Sequence, residues 1–212
     1  PRRSRKAGMK AKSIGIDFDN TIVCYDEVFS RLVRERGLMS EGHATKGQVR
    51  DHLRRLGRED EWTALQGEAY GPALRHAKPF PGVVEFLARC RREGMPVSVI
   101  SHKTRHPFLG PKHDLHEAAR EWLESNGFFD PCRAGLSSSQ IFFELTKVDK
   151  LKRIAEARCS HFIDDLPEFL AEPGFPVDVE RILFAPEGAA PRDLGFRSAG
   201  SWSEIERFLL DS

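Results

Sequence analysis

The four cysteines, Cys24, Cys90, Cys132 and Cys159, are widely scattered, and no two of them form a CxxC pair. That spacing argues against a cysteine-built zinc site and against a disulfide framework. Reduced thiols in a cytoplasmic protein are the expected state. No apolar run approaches the length of a membrane span. The basic residues at the start precede no apolar stretch, so no secretory signal is read there. The formal net charge is only +1 over 212 residues, which gives the whole chain no field that draws in nucleic acid. Internal repeats and low-complexity tracts are also missing.

What is present is a globular composition, 40% hydrophobic and 31% charged, long enough for one ordinary domain with an insert. The stretch that organises the chain is Ser13-Ile14-Gly15-Ile16-Asp17-Phe18-Asp19-Asn20-Thr21-Ile22. Ile14, Ile16 and Phe18 read as a buried strand. Residues i and i+2 of a strand point the same way, so Asp17 and Asp19 emerge side by side. Two adjacent carboxylates repel unless a cation sits between them or one binds a proton. The pattern therefore suggests a Mg²⁺ site. It also suggests a division of labour, one carboxylate as nucleophile and the other as proton donor and acceptor.

Pro1 to Lys12 is a basic tail without acids, expected to be disordered. After the first strand, Glu27 to Val33 carries a helical apolar face. Thr45 is a candidate N-cap for Gly47 to Leu56, and Asp60-Glu61-Trp62 opens a third helix. Nothing from 26 to 77 reads as a strand, so this block is expected to be a small helical insert, with Trp62 and Tyr70 in its core. Pro79-Phe80-Pro81-Gly82 marks a turn into a helix over Val83 to Arg92. Strands follow at Pro96–Ser101, Ile141–Leu145, His161–Asp165 and Arg181–Pro186. Helices are expected after Asp114, over 147–157 with Val148, Leu151, Ile154 and Ala155 inward, and over Trp202 to Leu210. Alternating strands and helices predict an α/β fold, a Rossmann-like parallel sheet with helices on both faces. The core is expected over 13–25 and 78–212, and the helical cap over 26–77.

In such sheets ligands bind beyond the carboxyl ends of the strands. Asp17 and Asp19, Ser101, and Asp164 with Asp165 fall there, and Lys147 sits just after the third strand. In these residues the chain resembles the haloacid dehalogenase (HAD) superfamily. Asp17-Phe18-Asp19-Asn20-Thr21 resembles its DxDxT motif, and Val99-Ile100-Ser101 its second motif. Lys147 resembles the third-motif lysine, and Phe162-Ile163-Asp164-Asp165 the strand ending in two acids. The long His- and Lys-containing loop after Ser101 departs from the family pattern.

The resemblance implies an HAD-like core with a helical type-one cap. It implies an Mg²⁺-dependent phosphatase in which Asp17 forms an aspartyl-phosphate and Asp19 serves as acid and base. Ser101 and Lys147 would hold the phosphoryl oxygens, Lys147 being preferred over Lys150 as nearer the strand end. Asp17, the carbonyl of Asp19, Asp164 and Asp165 would hold the metal. Thr21, His102 and Lys103 are candidate substrate-binding residues. The expected partner is a small phosphorylated metabolite, a sugar phosphate or nucleotide, and no membrane. Two alternatives stand beside it: a phosphomutase or phosphotransferase with the same intermediate, and a polynucleotide-end phosphatase or nucleic-acid-binding module using the basic tail and loop.

Overall fold

A computed structural model describes residues 12–39, 44–188 and 195–211. In chain order the elements are β1 (Ile14–Ile16), β2 (Val23–Cys24), α1 (Asp26–Glu35), α2 (Lys46–Arg55), α3 (Glu59–Tyr70) and β3 (Lys78–Pro79). They continue with α4 (Val83–Arg92), β4 (Val97–His102), α5 (Leu115–Ser125), β5 (Ile141–Glu144), α6 (Lys147–Glu156) and β6 (His161–Asp164). The chain closes with α7 (Pro167–Leu170), β7 (Glu180–Phe184), β8 (Arg197–Ala199) and α8 (Trp202–Leu210). Apart from Lys12, the basic tail lies outside the described residues.

Six strands form one sheet in the order β5-β4-β1-β6-β7-β8, every neighbouring pair parallel. This is the α/β sheet the strand–helix alternation predicts, with β1 at its centre. Strand alternation sorts side chains to two faces. Ile14, Ile16, Val97, Val99, Ile141, Ile163, Ile182 and Phe184 pack with α4, α5 and α8. Ile100, Phe162 and Leu183 face the other way, onto Ile154 of α6 and Phe169 and Leu170 of α7. Gly15 belongs to that second face: a Cβ there would stand 2.5 Å from the Phe162 ring.

The short β8, the four-residue α7 and the β2–β3 ribbon carry too few residues to leave a periodic signal. β2 and β3 pair antiparallel, Val23 opposite Pro79 and Cys24 opposite Lys78, where the chain enters and leaves the helical insert. Helices α1, α2 and α3 pack on one another, Phe29 stacking on Trp62 with ring centroids 5.1 Å apart. Their buried residues join the same apolar cluster as the larger sheet face. Thr45 caps α2 as expected, in a reciprocal capping box with Gln48. In α6 the apolar pattern misleads: Val148 and Ala155 are exposed, and the inward places go to Ile154 and to Lys150.

Candidate active site

The carboxyl end of β1 sits between those of β4 and β6, so three separate segments deliver polar groups to one edge. The chain then turns sharply. Asn20 takes a left-handed backbone conformation (φ 57°), and the Phe18 carbonyl accepts from both Ile22 and Val23 amides at 3.0 and 3.1 Å. The turn is fixed from outside by Trp202, whose indole N–H donates to the Thr21 carbonyl at 3.1 Å. It leaves Asp17 and Asp19 at the sheet edge while the chain departs toward α1.

Asp17, Asp164 and Asp165 each offer one carboxylate oxygen within 4.8 Å of the others. Asp17 and Asp164 are buried. Burial pushes Asp17 up to about 7 despite the opposing charge of Lys150, and Asp164 and Asp19 add to the rise. Burial, with the charge of Asp164, also holds Asp165 well above the ordinary carboxylate range. Crowded, buried oxygen ligands of this kind are what a hard divalent cation such as Mg²⁺ takes. The set therefore fits the metal that the sequence suggests.

Lys150, not Lys147, reaches this cluster. Its ammonium donates to Asp17 Oδ1 and to Asp164 Oδ2, each at 2.6 Å. Burial works against its charge, but the two carboxylates outweigh that and raise its pKa. Lys147 has a side chain 48% exposed and stands 3.5 Å from Glu172. The reason is the lean of helical side chains toward the helix N-terminus. Helix α6 starts at the site edge, so a lysine one turn inside reaches back to the carboxylates, whereas one at the first position overshoots to the rim. Applied to the sequence, that lean is the signal that points to Lys150.

Ser101 is buried at the end of β4 and lines the cavity with Asp17 and Asp19. The exposed His102 lines it too, its ring Nε2 3.2 Å from the Leu145 carbonyl and its pKa lowered by burial ahead of that contact. Lys103 is not among the residues that line the cavity. It is buried, its ammonium 2.9 Å from both oxygens of Asp19, between the rings of Phe18 and Tyr70. Tyr25, at the start of α1, donates its hydroxyl to the same Asp19 at 2.5 Å. Thr21 is fully buried with its hydroxyl unpartnered among the described residues, away from the cavity lining. Most of the basic loop turns elsewhere as well: Arg105 is paired with Asp114, and His106 Nδ1 sits 3.0 Å from the His113 carbonyl.

The cavity over these groups has a volume of about 390 Å³. Its opposite wall comes from the insert: Lys46, Arg50 and Arg54 of α2, and Trp62, Gln66 and Tyr70 of α3. The two aromatics thus pack the insert and wall the cavity at once. Sequence reasoning missed the α2 cations, because a basic helix face reads as solvated surface until the helix is docked.

No family model and no curated protein matches the chain in sequence. Solved structures do match in fold. The HAD-hydrolase YfnB from Bacillus subtilis, bound to magnesium, superposes with a TM-score of 0.59 at 12% identity, over 95% of this chain and all of that one. A predicted phosphoglycolate phosphatase from Haemophilus somnus 129pt gives 0.58 at 14% identity, over 95% and 99%. A HAD family hydrolase from Deinococcus radiodurans R1, with bound phosphate and sodium, gives 0.56 at 16%, over 95% and 96%. Dehalogenases also stand among the matches. In fold, this chain is similar to hydrolases of the haloacid dehalogenase superfamily.

Proposed function

We propose that the protein is a Mg²⁺-dependent phosphatase that hydrolyses a small phosphorylated metabolite through an aspartyl-phosphate. The observation that carries this reading is the pairing of two acids with different surroundings. Asp17 lies among Asp164, Asp165 and Lys150, while Asp19 is held apart by Lys103 and Tyr25. Asp17, inside the cluster that would hold the metal, is placed as nucleophile, and Asp19, oriented beside it outside that cluster, is placed to handle the proton.

Asp17 attacks phosphorus in line, forming the acyl-phosphate bond as the bond to the ester oxygen breaks. Asp19 gives that oxygen its proton and later takes one from the water that attacks phosphorus and frees Asp17. Ser101 and Lys150 hold the phosphoryl oxygens. When bound by Asp17, the Asp19 carbonyl, Asp164 and Asp165, Mg²⁺ supplies the charge screening that lets a carboxylate approach a dianionic phosphate. Residues 26–77 serve as a cap that excludes water from the cavity.

Asp19 favours ester cleavage over carbon–halogen cleavage, because a halide leaves without a proton. A phosphotransferase differs only in the acceptor that replaces water. The loop that would serve a polynucleotide spends Arg105 on Asp114, so a small substrate is the better reading. No helix among the described residues is long and apolar enough to cross a membrane, and the four cysteines are free. The test is phosphate release from an aryl phosphate and from panels of sugar phosphates and nucleotides, with and without Mg²⁺, beside Asp17→Asn. Metal-dependent release lost in the variant supports the reading. No release from the folded protein with Mg²⁺ present overturns it.

A further inference from the structure

We propose that Lys46 and Arg50 of α2 form a subsite for a second negative charge, so that the substrate is a phosphomonoester whose leaving group carries its own carboxylate or phosphate. The inference rests on the phosphatase reading of the Asp17 site. It arises from an imbalance between the two walls of one cavity.

The sheet-edge wall carries four carboxylates, Asp17, Asp19, Asp164 and Asp165, against two lysines, and a divalent cation held there would match the remaining two charges. Lys150 is shared by Asp17 and Asp164, and Lys103 is committed to Asp19. The phosphoryl group, seated at this wall, would be served by that cation together with Lys150 and Ser101. On the opposite wall, α2 presents Lys46, Arg50 and Arg54 at four-residue spacing into the same cavity. Residues four apart share a helix face and lie about 6 Å apart along its axis.

Arg54 is occupied: its guanidinium donates to both oxygens of Glu59, at 3.0 and 3.3 Å from Nε. Arg50 meets only Asp51, its chain neighbour, in an exposed pair of the kind worth little in water. Lys46 has no carboxylate within salt-bridge distance among the described residues. Its ammonium stands 6.0 Å from the ring centroid of Tyr25 and 5.4 Å from that of Tyr70. Burial works to lower its pKa, yet Tyr70 and Asp165 keep it above the ordinary lysine value, so the charge is retained.

Lys46 is partly buried beside two aromatic rings, and Asp165, a carboxylate whose charge acts on it, belongs to the acidic cluster; once that cluster holds its cation, Lys46 calls for an anion from a ligand. A neutral leaving group would leave both cations unused. An anionic one would meet Lys46 and Arg50 while its phosphate met Lys150 and Ser101. The volume of about 390 Å³ takes a phosphate with a leaving group of a few carbons. Glu168, which is not on α2, also lines the cavity.

Two matched pairs of esters test this: 3-phosphoglycerate against glycerol 3-phosphate, and fructose 1,6-bisphosphate against fructose 6-phosphate. The charged member of at least one pair is expected to show about tenfold higher kcat/KM, the scale of a charge-assisted contact. Preference in the first pair marks a carboxylate, and in the second a phosphate. Arg50→Gln, at an exposed position that tolerates change, and Lys46→Gln should each lower that preference, chiefly through KM. Equal use of charged and neutral members in both pairs, or a preference that survives both substitutions, overturns the proposal.

A binding arm separates this inference from the reading it rests on. Asp17→Asn protein is titrated calorimetrically with all four esters, with and without Arg50→Gln. If the wild type releases phosphate from none of them, nor from the aryl phosphate and the wider panels, the phosphatase reading has failed, and binding still decides the subsite. Tighter binding of a charged member that weakens with Arg50→Gln supports the subsite; indifference to leaving-group charge overturns it.

Discussion

The ammonium of Lys103 lies 2.9 Å from both carboxylate oxygens of Asp19, buried under Tyr70 and Phe18. A cation that straddles both oxygens fixes the plane of the carboxylate, and Tyr25 Oη fixes its direction from the insert side. We expect Lys103→Met to lower kcat by about tenfold to a hundredfold, the cost of misplacing a proton-transfer group. KM should change far less. Lys103→Arg should recover part of the loss. An unchanged kcat in a folded Lys103→Met protein would remove Asp19 positioning from the mechanism.

The two lysines of α6 separate by position. Lys150→Met leaves two buried carboxylates facing each other without their shared cation. Breaking a buried pair in this way costs about 3–5 kcal/mol. We expect a clear drop in melting temperature and loss of phosphate release. Lys147→Met removes an exposed contact at 3.5 Å, and its effect on stability should stay within about 0.5 kcal/mol. Thermal melts of the pair, side by side, read the difference.

For Asp17 the pH dependence has a defined sign. Its folded pKa is raised to about 7 from an ordinary 3.8, first by burial. The protonated form is therefore the one that folding favours. Its contribution to stability is fully present below the unfolded value and is lost as pH rises through about 7. Metal-free protein should lose melting temperature between pH 5 and pH 8 more steeply than Asp17→Asn does. Because the ligands bind metal only when ionised, the gain in melting temperature on adding Mg²⁺ should grow over the same interval. Parallel pH profiles for wild type and variant would remove Asp17 as the source.

Thr21 offers a test of burial without function. Its hydroxyl is fully enclosed and finds no partner among the described residues, while its carbonyl is held by Trp202. Replacing an unsatisfied buried hydroxyl with an isosteric methyl is neutral or stabilising. Thr21→Val is expected to leave the melting temperature unchanged or raise it, with kcat/KM within about twofold of wild type. A large loss of activity would return Thr21 to the substrate.

The parts legible in the sequence are those with short-range causes. Short apolar runs marked β1, β4, β5, β6 and β7, and the order of strands and helices implied a parallel sheet. Asp17 and Asp19 share a strand end, and Asp164 with Asp165 ends another, so their convergence followed from topology. Where a side chain is long, or where two segments meet only through packing, local pattern was silent. The lean of helical side chains, together with the docking of α6, chose Lys150 over Lys147. The position of Val148 followed from that choice, for a helix that turns a lysine inward turns an apolar residue out. Lys103 could be placed on Asp19 only once β4 lay beside β1.

The insert divides the same way. Its three helices, and the cap on Thr45, were written in periodicity and capping chemistry. That Lys46 and Arg50 face the carboxylates across a cavity is a property of docking, to which sequence spacing contributes one shared face and nothing more. The sequence by itself determined the fold class and the acidic cluster, because backbone alternation is local. Only tertiary packing decided which lysine pairs with which acid, because electrostatic partners are set by distances between segments far apart in the chain.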